Sequence, residues 1–212
     1  VGACSLPIVS LFTDLGVSYD NHLNFKSHIS RIVKKAAGRA KCILKCFVSR
    51  DKLLLTRAFC TFVRPLLEFS SVIWCPDCIN EIKKIETVQR TFTKSMGNLR
   101  LSTYSERLVI LNLDSLQCRR LKADLVMCYK ILNGLLDIDS SCFFKRQLYA
   151  STRGNSLKLA KIHVASERDK NFFTNRVINI WNALPDFLVS SSSVSSFRRN
   201  IALTDLSKHL LF

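Results

Sequence analysis

The apolar positions change period near residue 25, and that change sets the predicted architecture. Before it, Leu15, Val17 and Tyr19 alternate with Gly16, Ser18 and Asp20, the two-residue period of a half-buried strand. An earlier strand is expected over Ile8 to Phe12, so residues 1–20 read as strands. Two strands make a marginal unit alone. They are expected to finish a larger sheet, and the chain, which begins at Val1, reads as a piece of a longer protein. From Phe25 onward the period is helical, with Phe25, Ile29, Ile32, Val33, Ala36, Ala40, Ile43, Leu44 and Phe47 on one stripe. A second helix is predicted over Asp51–Trp74 with Ser49 as N-cap. Pro65 inside it predicts a kink or break near Phe62, because proline removes a helix hydrogen bond and clashes with the preceding turn.

A third helix takes Asn80 as its cap, turns Ile82, Ile85, Val88, Phe92 and Met96 inward, and stops at Gly97. Ser102 to Leu111 is a short helix. Asp114 with Gln117 is spaced like a capping box, opening a helix that carries Leu121, Leu125, Met127, Cys128, Ile131 and Leu132 and ends at Gly134. Thr152-Arg-Gly-Asn155 reads as a turn, near two short strands at Leu157–Leu159 and Ile162–Val164. A helix over Asn171–Ala183 has Phe172, Phe173, Val177, Ile180 and Trp181 as apolar members and ends at Leu184-Pro185. Ser190 to Ser193 form a flexible link to a last helix beginning near Ser195–Phe197. The predicted fold class is mainly α: an N-terminal β-hairpin, a multi-helix bundle, then a helical C-terminal extension with room for a short β-hairpin. The corresponding divisions are 1–20, 21–134 and 135–212.

Composition narrows the partners. Of the 212 residues, 48% are hydrophobic, including fourteen Phe, which is enough for a real core and excludes a disordered tail. Lys and Arg total 32 against 16 acids, a net charge of +16. Such a charge opposes compactness unless a polyanion shares the surface. Nucleic acid is the leading partner; an anionic membrane and a merely solvated basic surface are the competing readings. No apolar run approaches the roughly 18 residues of a membrane span, and no secretory signal stands at the start. Nine Cys, an odd number at irregular intervals, point to free thiols in a reducing compartment, and hence to the nucleus or cytoplasm.

Candidate chemistry is sparse. Polymerase and nuclease centres cluster carboxylates around metal ions, and this chain has no adjacent acidic pair. Asp14 and Asp20 are expected on one strand face with Gly16 and Ser18, and Asp137-Ile-Asp139 reads as a turn or cap after Gly134. The six glycines form no phosphate loop or dinucleotide fingerprint. Cys75-Pro-Asp-Cys78 has zinc-ligand spacing and, more loosely, so do Cys42/Cys46 and His22/His28. Cys42 and Cys46 are assigned to the buried side of their helix as small hydrophobes, and no metal site is predicted. Phe62, Phe69, Trp74, Phe92, Phe172, Phe173 and Trp181 have the rings to stack on bases, but their helical spacing reads as core. The sharpest signal is basic: from Arg31 to Lys52 there are eight Lys or Arg and one acid, Asp51. Further clusters are Lys83, Lys84, Arg90 and Lys94; Arg119, Arg120 and Lys122; and Lys145, Arg146, Arg153, Lys158 and Lys161.

A series of words in fixed order carries a family resemblance: Asp14-Leu-Gly-Val17, His28-Ile29, Phe62-Val-Arg-Pro-Leu-Leu-Glu68, Ile73-Trp74, Val88-Gln-Arg-Thr-Phe-Thr-Lys94, Tyr104-Ser-Glu-Arg-Leu108, Arg119-Arg120 with Tyr129-Lys-Ile131, Thr152-Arg-Gly154, and Phe172-Phe173 leading to Trp181-Asn-Ala-Leu-Pro185. Together they resemble the C-terminal part, beyond the polymerase palm, of a non-LTR (LINE-type, jockey-like) retrotransposon reverse transcriptase. The resemblance implies palm-edge, primer-grip-like strands over 1–20, a helical thumb over 21–134 and an extension over 135–212. It differs at Cys75 and Cys78, and at Asn155, where a Thr-Arg-Gly-His version is common.

The function so implied is non-catalytic. The chain would grip a template–primer duplex of RNA, DNA or RNA–DNA hybrid beside the upstream palm and fingers of the same polyprotein, an RNA-directed DNA polymerase. No membrane is expected, and no enzyme activity or cofactor in this chain, although the parent enzyme would need Mg. Charge and surface position, rather than the family words, select Arg31, Lys34, Lys35, Arg39, Lys41 and Lys45, with Arg90 and Lys94, as the contacts. The alternative is an all-α protein-interaction or scaffold module derived from such an element.

Overall fold

The computed structural model describes residues 9–147, 155–161 and 166–211. It is mainly helical, with a short antiparallel hairpin ahead of a multi-helix bundle, which is the predicted fold class. Its contacts divide the chain into two compact units: residues up to Ser70 with Pro76–Leu116, and Ser71–Cys75 with Gln117 onward.

In the first unit, β1 (Leu11–Asp14) pairs with β2 (Val17–Asp20) in a register running from Leu11↔Asp20 to Asp14↔Val17. Only Leu15 and Gly16 join them, at φ +45° and +86°. Two positive φ values in a two-residue loop make a type I′ turn, whose twist matches the strands. The predicted alternation holds over Val17–Asp20 and is corrected at its start: Leu15 is a turn tip, 87% exposed. The register also places Asp14 on the face of Phe12, Val17 and Tyr19, and Asp20 on the opposite face with Leu11 and Ser18. The two acids do not share a side. The Asp20 carboxylate instead accepts the N–H groups of His22 (2.9 Å) and Asn24 (2.8 Å) and turns the chain toward the first helix.

That helix, α1 (Lys26–Cys46), buries His28, Ile29, Ile32, Ala36, Ala40 and Ile43. The next begins at α2 (Lys52–Ala58), capped by Asp51, whose carboxylate accepts from Leu54 N–H at 2.7 Å. Ser49 is not that cap; its hydroxyl accepts the Asp51 N–H at 3.2 Å. Pro65 supplies no N–H, and the ladder widens ahead of it into a π turn, Phe59–Val63, in which Arg64 N–H reaches back to Phe59 C=O. The expected kink near Phe62 takes this form. After α3 (Arg64–Glu68) the helix breaks at Phe69 and Ser70, the latter at φ +53°, so Asp51–Trp74 is not one helix.

Helix α5 (Ile79–Lys94) starts after Cys78, which makes no side-chain cap, and Asn80 lies within its first turn rather than before it. Ile82, Ile85, Val88, Phe92 and, just past the end, Met96 are buried as predicted. Helix α6 (Tyr104–Leu111) opens on a capping box of Thr103 and Glu106. A polar seam ties α6 to α5. The buried Glu86 carboxylate accepts from the Tyr104 hydroxyl and from Leu116 N–H (3.1 Å), and Gln89 donates to Tyr104 Oη and Asp114 C=O at 3.0 Å each. Arg107 donates to Thr93 Oγ1 (3.1 Å), Ser102 C=O (2.7 Å) and Arg90 C=O (3.3 Å).

The second unit is built on α7 (Leu116–Leu132), which ends as predicted at Gly134, φ +62°. Leu135 N–H bonds Lys130 C=O and Gly134 N–H bonds Ile131 C=O, satisfying the last carbonyls in a Schellman arrangement. Asp139 then caps a 3₁₀ turn, Ser140–Cys142. The short helix α4 (Ser71–Trp74) also belongs here, as do α8 (Glu167–Asn171), α9 (Phe173–Ala183), α10 (Asp186–Val189) and α11 (Val194–Leu203). Ser193 N-caps α11 by accepting Ser196 N–H at 3.1 Å, so the serine run is partly a cap. The core holds Leu125, Cys128, Trp181, Leu188 and Phe197, with Tyr129 stacked on Phe197 at 4.5 Å.

The Trp181-Asn-Ala-Leu-Pro185 word has a structural explanation. Asn155 Nδ2 donates to Trp181 and Leu184 C=O, closing the end of α9, while Trp181 Nε1 donates to Leu157 C=O. Asn182 binds both backbone groups of Leu159. Leu159 pairs with Arg146 in an isolated bridge; the Ile162–Val164 strand and Thr152–Gly154 lie outside the described residues.

Arg176 bonds both Asp124 carboxylate oxygens at 2.9 Å and also donates to Val72 and Asn171 C=O. Arg120, by contrast, is 1% exposed, and its three guanidinium nitrogens meet no oxygen acceptor among the described residues; the Cys75 thiol and the Asp124 charge are its polar neighbours. Asp124 keeps its bidentate partner Arg176, so replacing the Arg120 cation with an apolar side chain of similar volume removes a desolvation penalty without orphaning a carboxylate. Arg120→Met is expected to raise stability by about 1–3 kcal/mol in chemical denaturation. A destabilised variant would show that this guanidinium has an acceptor.

Candidate nucleic-acid interface

Helix α1 carries seven Lys or Arg and no Asp or Glu. At 100° per residue, Arg31, Lys34, Lys35, Arg39, Lys41 and Lys45 fall within an arc of about 160°, opposite the buried stripe. All six are exposed. No ion-pair or hydrogen-bond partner stands against Lys34, Lys35, Arg39, Lys41 or Lys45 among the described residues, so their field is not quenched by the protein itself. Gly38 sits in the middle of this arc, with open space where a Cβ would be.

Arg31 differs from the other five. Its Nη2 donates to Gly16 C=O at 2.7 Å, fastening α1 to the hairpin turn, and lies 3.2 Å from His28 Nδ1. His28 is buried, and its Nδ1 also accepts Ser18 N–H at 3.2 Å. An accepting Nδ1 keeps the ring neutral. Burial first, and the Arg31 charge second, hold its pKa below the ordinary 6.5.

Helices α1 and α5 pack against each other. On α5, Lys83, Arg90 and Lys94 are exposed and recur seven and four residues apart, a narrow stripe on that helix's own outer face. Arg90 lies over the Tyr104 ring at 4.3 Å, so part of its surface is already occupied. Lys94 has no partner of its own among the described residues, while Lys84 is paired with Glu81 at 2.8 Å. Each predicted contact is thus on the surface, with Arg31 and Arg90 also serving structural roles. Of the other basic clusters, Arg120 is buried and takes no part in a surface, and Arg153 lies outside the described residues.

Two assignments change. Cys42 and Cys46 are exposed, with Sγ atoms 4.0 Å apart, and belong to the basic arc rather than the buried stripe. The wheel itself held that signal, since Cys42 falls between Arg31 and Lys35. Among the aromatics, Trp74, Phe92, Phe173 and Trp181 are core, whereas Phe62, Phe69 and Phe172 are 52%, 59% and 58% exposed. No group of three or more His, Cys, Asp or Glu converges among the described residues. Burial pushes the Cys75 and Cys128 thiols up, so neither is a poised nucleophile. No helix among the described residues is long and apolar enough to cross a membrane.

No protein-family model matches the chain, and no solved structure does. Over 124 residues the chain is 27% identical to a Caenorhabditis elegans protein described as uncharacterized. The match covers 57% of this chain and 63% of that protein, so the chain spans less than two thirds of the relative's length.

The basic face has consequences for stability. Arg31–Lys35, Lys35–Arg39 and Lys41–Lys45 are like-charge neighbours one turn apart, each unfavourable by about 0.2–0.5 kcal/mol. Lys35→Glu turns two of these into attractive pairs and is expected to stabilise the chain by about 0.8–2 kcal/mol, read from the denaturation midpoint; a loss would show that Lys35 is structurally engaged. His28 gives a pH dependence of known sign. Its folded pKa is below its unfolded value near 6.5, so its contribution is complete above that pH and is lost as pH falls toward the folded value. Between about pH 7 and pH 5 the parent chain should lose more stability than His28→Asn; equal losses would exclude His28 as the source.

Proposed function

We propose that this chain is a non-catalytic nucleic-acid-gripping element. Its helix α1 lies along the phosphates of a duplex or RNA–DNA hybrid, in the manner of the thumb that follows the palm in a retrotransposon reverse transcriptase. One observation carries the reading: α1 has no acid, and five of its exposed cations have no partner among the described residues. Lys and Arg arranged this way displace counterions from phosphates and give affinity without reading sequence. The family resemblance supports the placement, because α1 falls where the thumb would begin. In this reading, the upstream palm and fingers supply catalysis and its Mg ions, and this chain supplies the grip.

Binding is expected in the micromolar range and without sequence preference. If five cations engage phosphates, affinity for duplex should fall roughly 500-fold between 50 and 200 mM salt. Fluorescence anisotropy on a labelled duplex measures this; a flat salt response would contradict it. Changing Lys34, Lys35, Arg39 and Lys41 together to Glu should abolish binding while far-ultraviolet dichroism stays unchanged. Binding that survives would move the interface elsewhere.

The exposed apolar side chains Leu53, Phe62 and Phe69 favour a second reading, a protein-interaction module. Capture of a partner that persists after nuclease treatment and is lost on Phe62→Asp would favour it over the first.

A further inference from the structure

The arc that carries the cations also carries two thiols. Cys42 and Cys46 lie one turn apart on α1, both exposed, with their sulfurs 4.0 Å apart. Two fates of such a pair can be compared by distance. A disulfide needs Cβ atoms about 3.5–4.5 Å apart and sulfurs at about 2.05 Å. Residues four apart on a helix hold their Cβ atoms at about 5–6 Å. Closing an S–S bond would therefore distort the last turn of α1, where Phe47 N–H still bonds Ile43 C=O at 3.0 Å. An ion placed between the sulfurs requires no such movement. With Zn–S bonds of about 2.3 Å and a near-tetrahedral angle, the two sulfurs stand about 3.8 Å apart. The observed separation fits this within the tolerance expected of a preformed site.

The surrounding Lys and Arg do not forbid a cation. Binding exchanges two protons for one divalent ion: Cys42–SH and Cys46–SH each release H⁺ as two sulfur–metal bonds form. The charge of the site does not change. To first order, the field that disfavours the ion favours the two thiolates by a similar amount.

We propose that Cys42 and Cys46 form a bidentate thiolate site for a thiophilic divalent ion of zinc's class. The site is carried on a single helix, and its remaining coordination positions are open to solvent or an incoming ligand. It rests on the geometry of two sulfurs and stands whether or not the basic face binds nucleic acid.

The test is a cadmium titration of the full, reduced chain, following the thiolate-to-cadmium absorbance in the ultraviolet. One equivalent per chain should saturate the band. Cys42→Ser and Cys46→Ser should each weaken binding by at least roughly ten-fold, the lower bound known even for loss of an outer-shell partner. Both positions are exposed, so helicity should be unchanged. Cys78→Ser and Cys142→Ser, also at exposed positions, should bind as the parent does. The proposal fails if Cys42→Ser or Cys46→Ser binds normally, or if Cys78→Ser or Cys142→Ser loses the site. Saturation at half an equivalent with a doubled molecular mass would also overturn it.

Discussion

The one-sided burial of α1 is the constraint on which the first unit depends. Ile29, Ile32 and Ile43 turn inward, with Ala36 and Ala40 buried between them, on a helix that packs against α5. Burying each Ile contributes about 1.5–3 kcal/mol. The three like-charge pairs on the outer arc together oppose the helix by about 1.5 kcal/mol at most. Burial outweighs repulsion several-fold, so the helix forms despite its charge, and the orientation it takes leaves every cation outside. The basic face is the remainder of a packing decision, which is why charge and fold can be separated by substitution.

The same separation explains what was legible in the sequence. The α1 stripe was readable because an unbroken 3.6-residue period leaves no competing interpretation, and the inward positions of α5 followed for the same reason. The hairpin turn was not, because Leu15 in the left-handed region defies the usual Asn-Gly signature. The alternation of Val17 and Tyr19 with Ser18 and Asp20 is that of a real strand; only its extension back to Leu15 and Gly16 was a coincidence of composition. N-caps were misplaced at Ser49 and Asn80 because several polar residues preceded each helix and any of them had the chemistry to cap it. Pro65 announced a disturbance, but not that it would take the form of a π turn with Phe59 and Val63 buried in it. Cys42 and Cys46 were assigned by residue type rather than by angle, and the angle was the better guide.

The family words and the candidate site turn out to be different residues. Val88-Gln-Arg-Thr-Phe-Thr-Lys94 and Tyr104-Ser-Glu-Arg-Leu108 supply the two sides of one hydrogen-bonded seam, through Gln89, Thr93, Tyr104 and Arg107. Trp181-Asn-Ala-Leu-Pro185 fastens the loop of Asn155 to Leu159. Such seams are demanding, since each buried polar group left without a partner costs about 1–3 kcal/mol. They therefore leave recognisable words in a sequence. A phosphate-binding face makes no comparable demand: any Lys or Arg on the right arc serves, so it leaves a charge pattern and no word. The resemblance speaks to the fold, and the cations must be judged on their own geometry.

That geometry has a length scale. From Arg31 to Lys45 the arc runs about 21 Å along α1, at 1.5 Å per residue. Nucleic acid rises about 3.4 Å per nucleotide on each strand, so the arc spans roughly six. Positions one turn apart hold their Cβ atoms about 5–6 Å from each other, inside the Debye length of about 8 Å at physiological salt, and in the proposed function such cations would act on a phosphate chain as one continuous field. A field of that kind has no means of distinguishing one base from another. On the proposed reading it would hold a backbone in place and let it advance by a nucleotide without breaking a specific contact, which suits a grip on a moving duplex better than a lock on a fixed site.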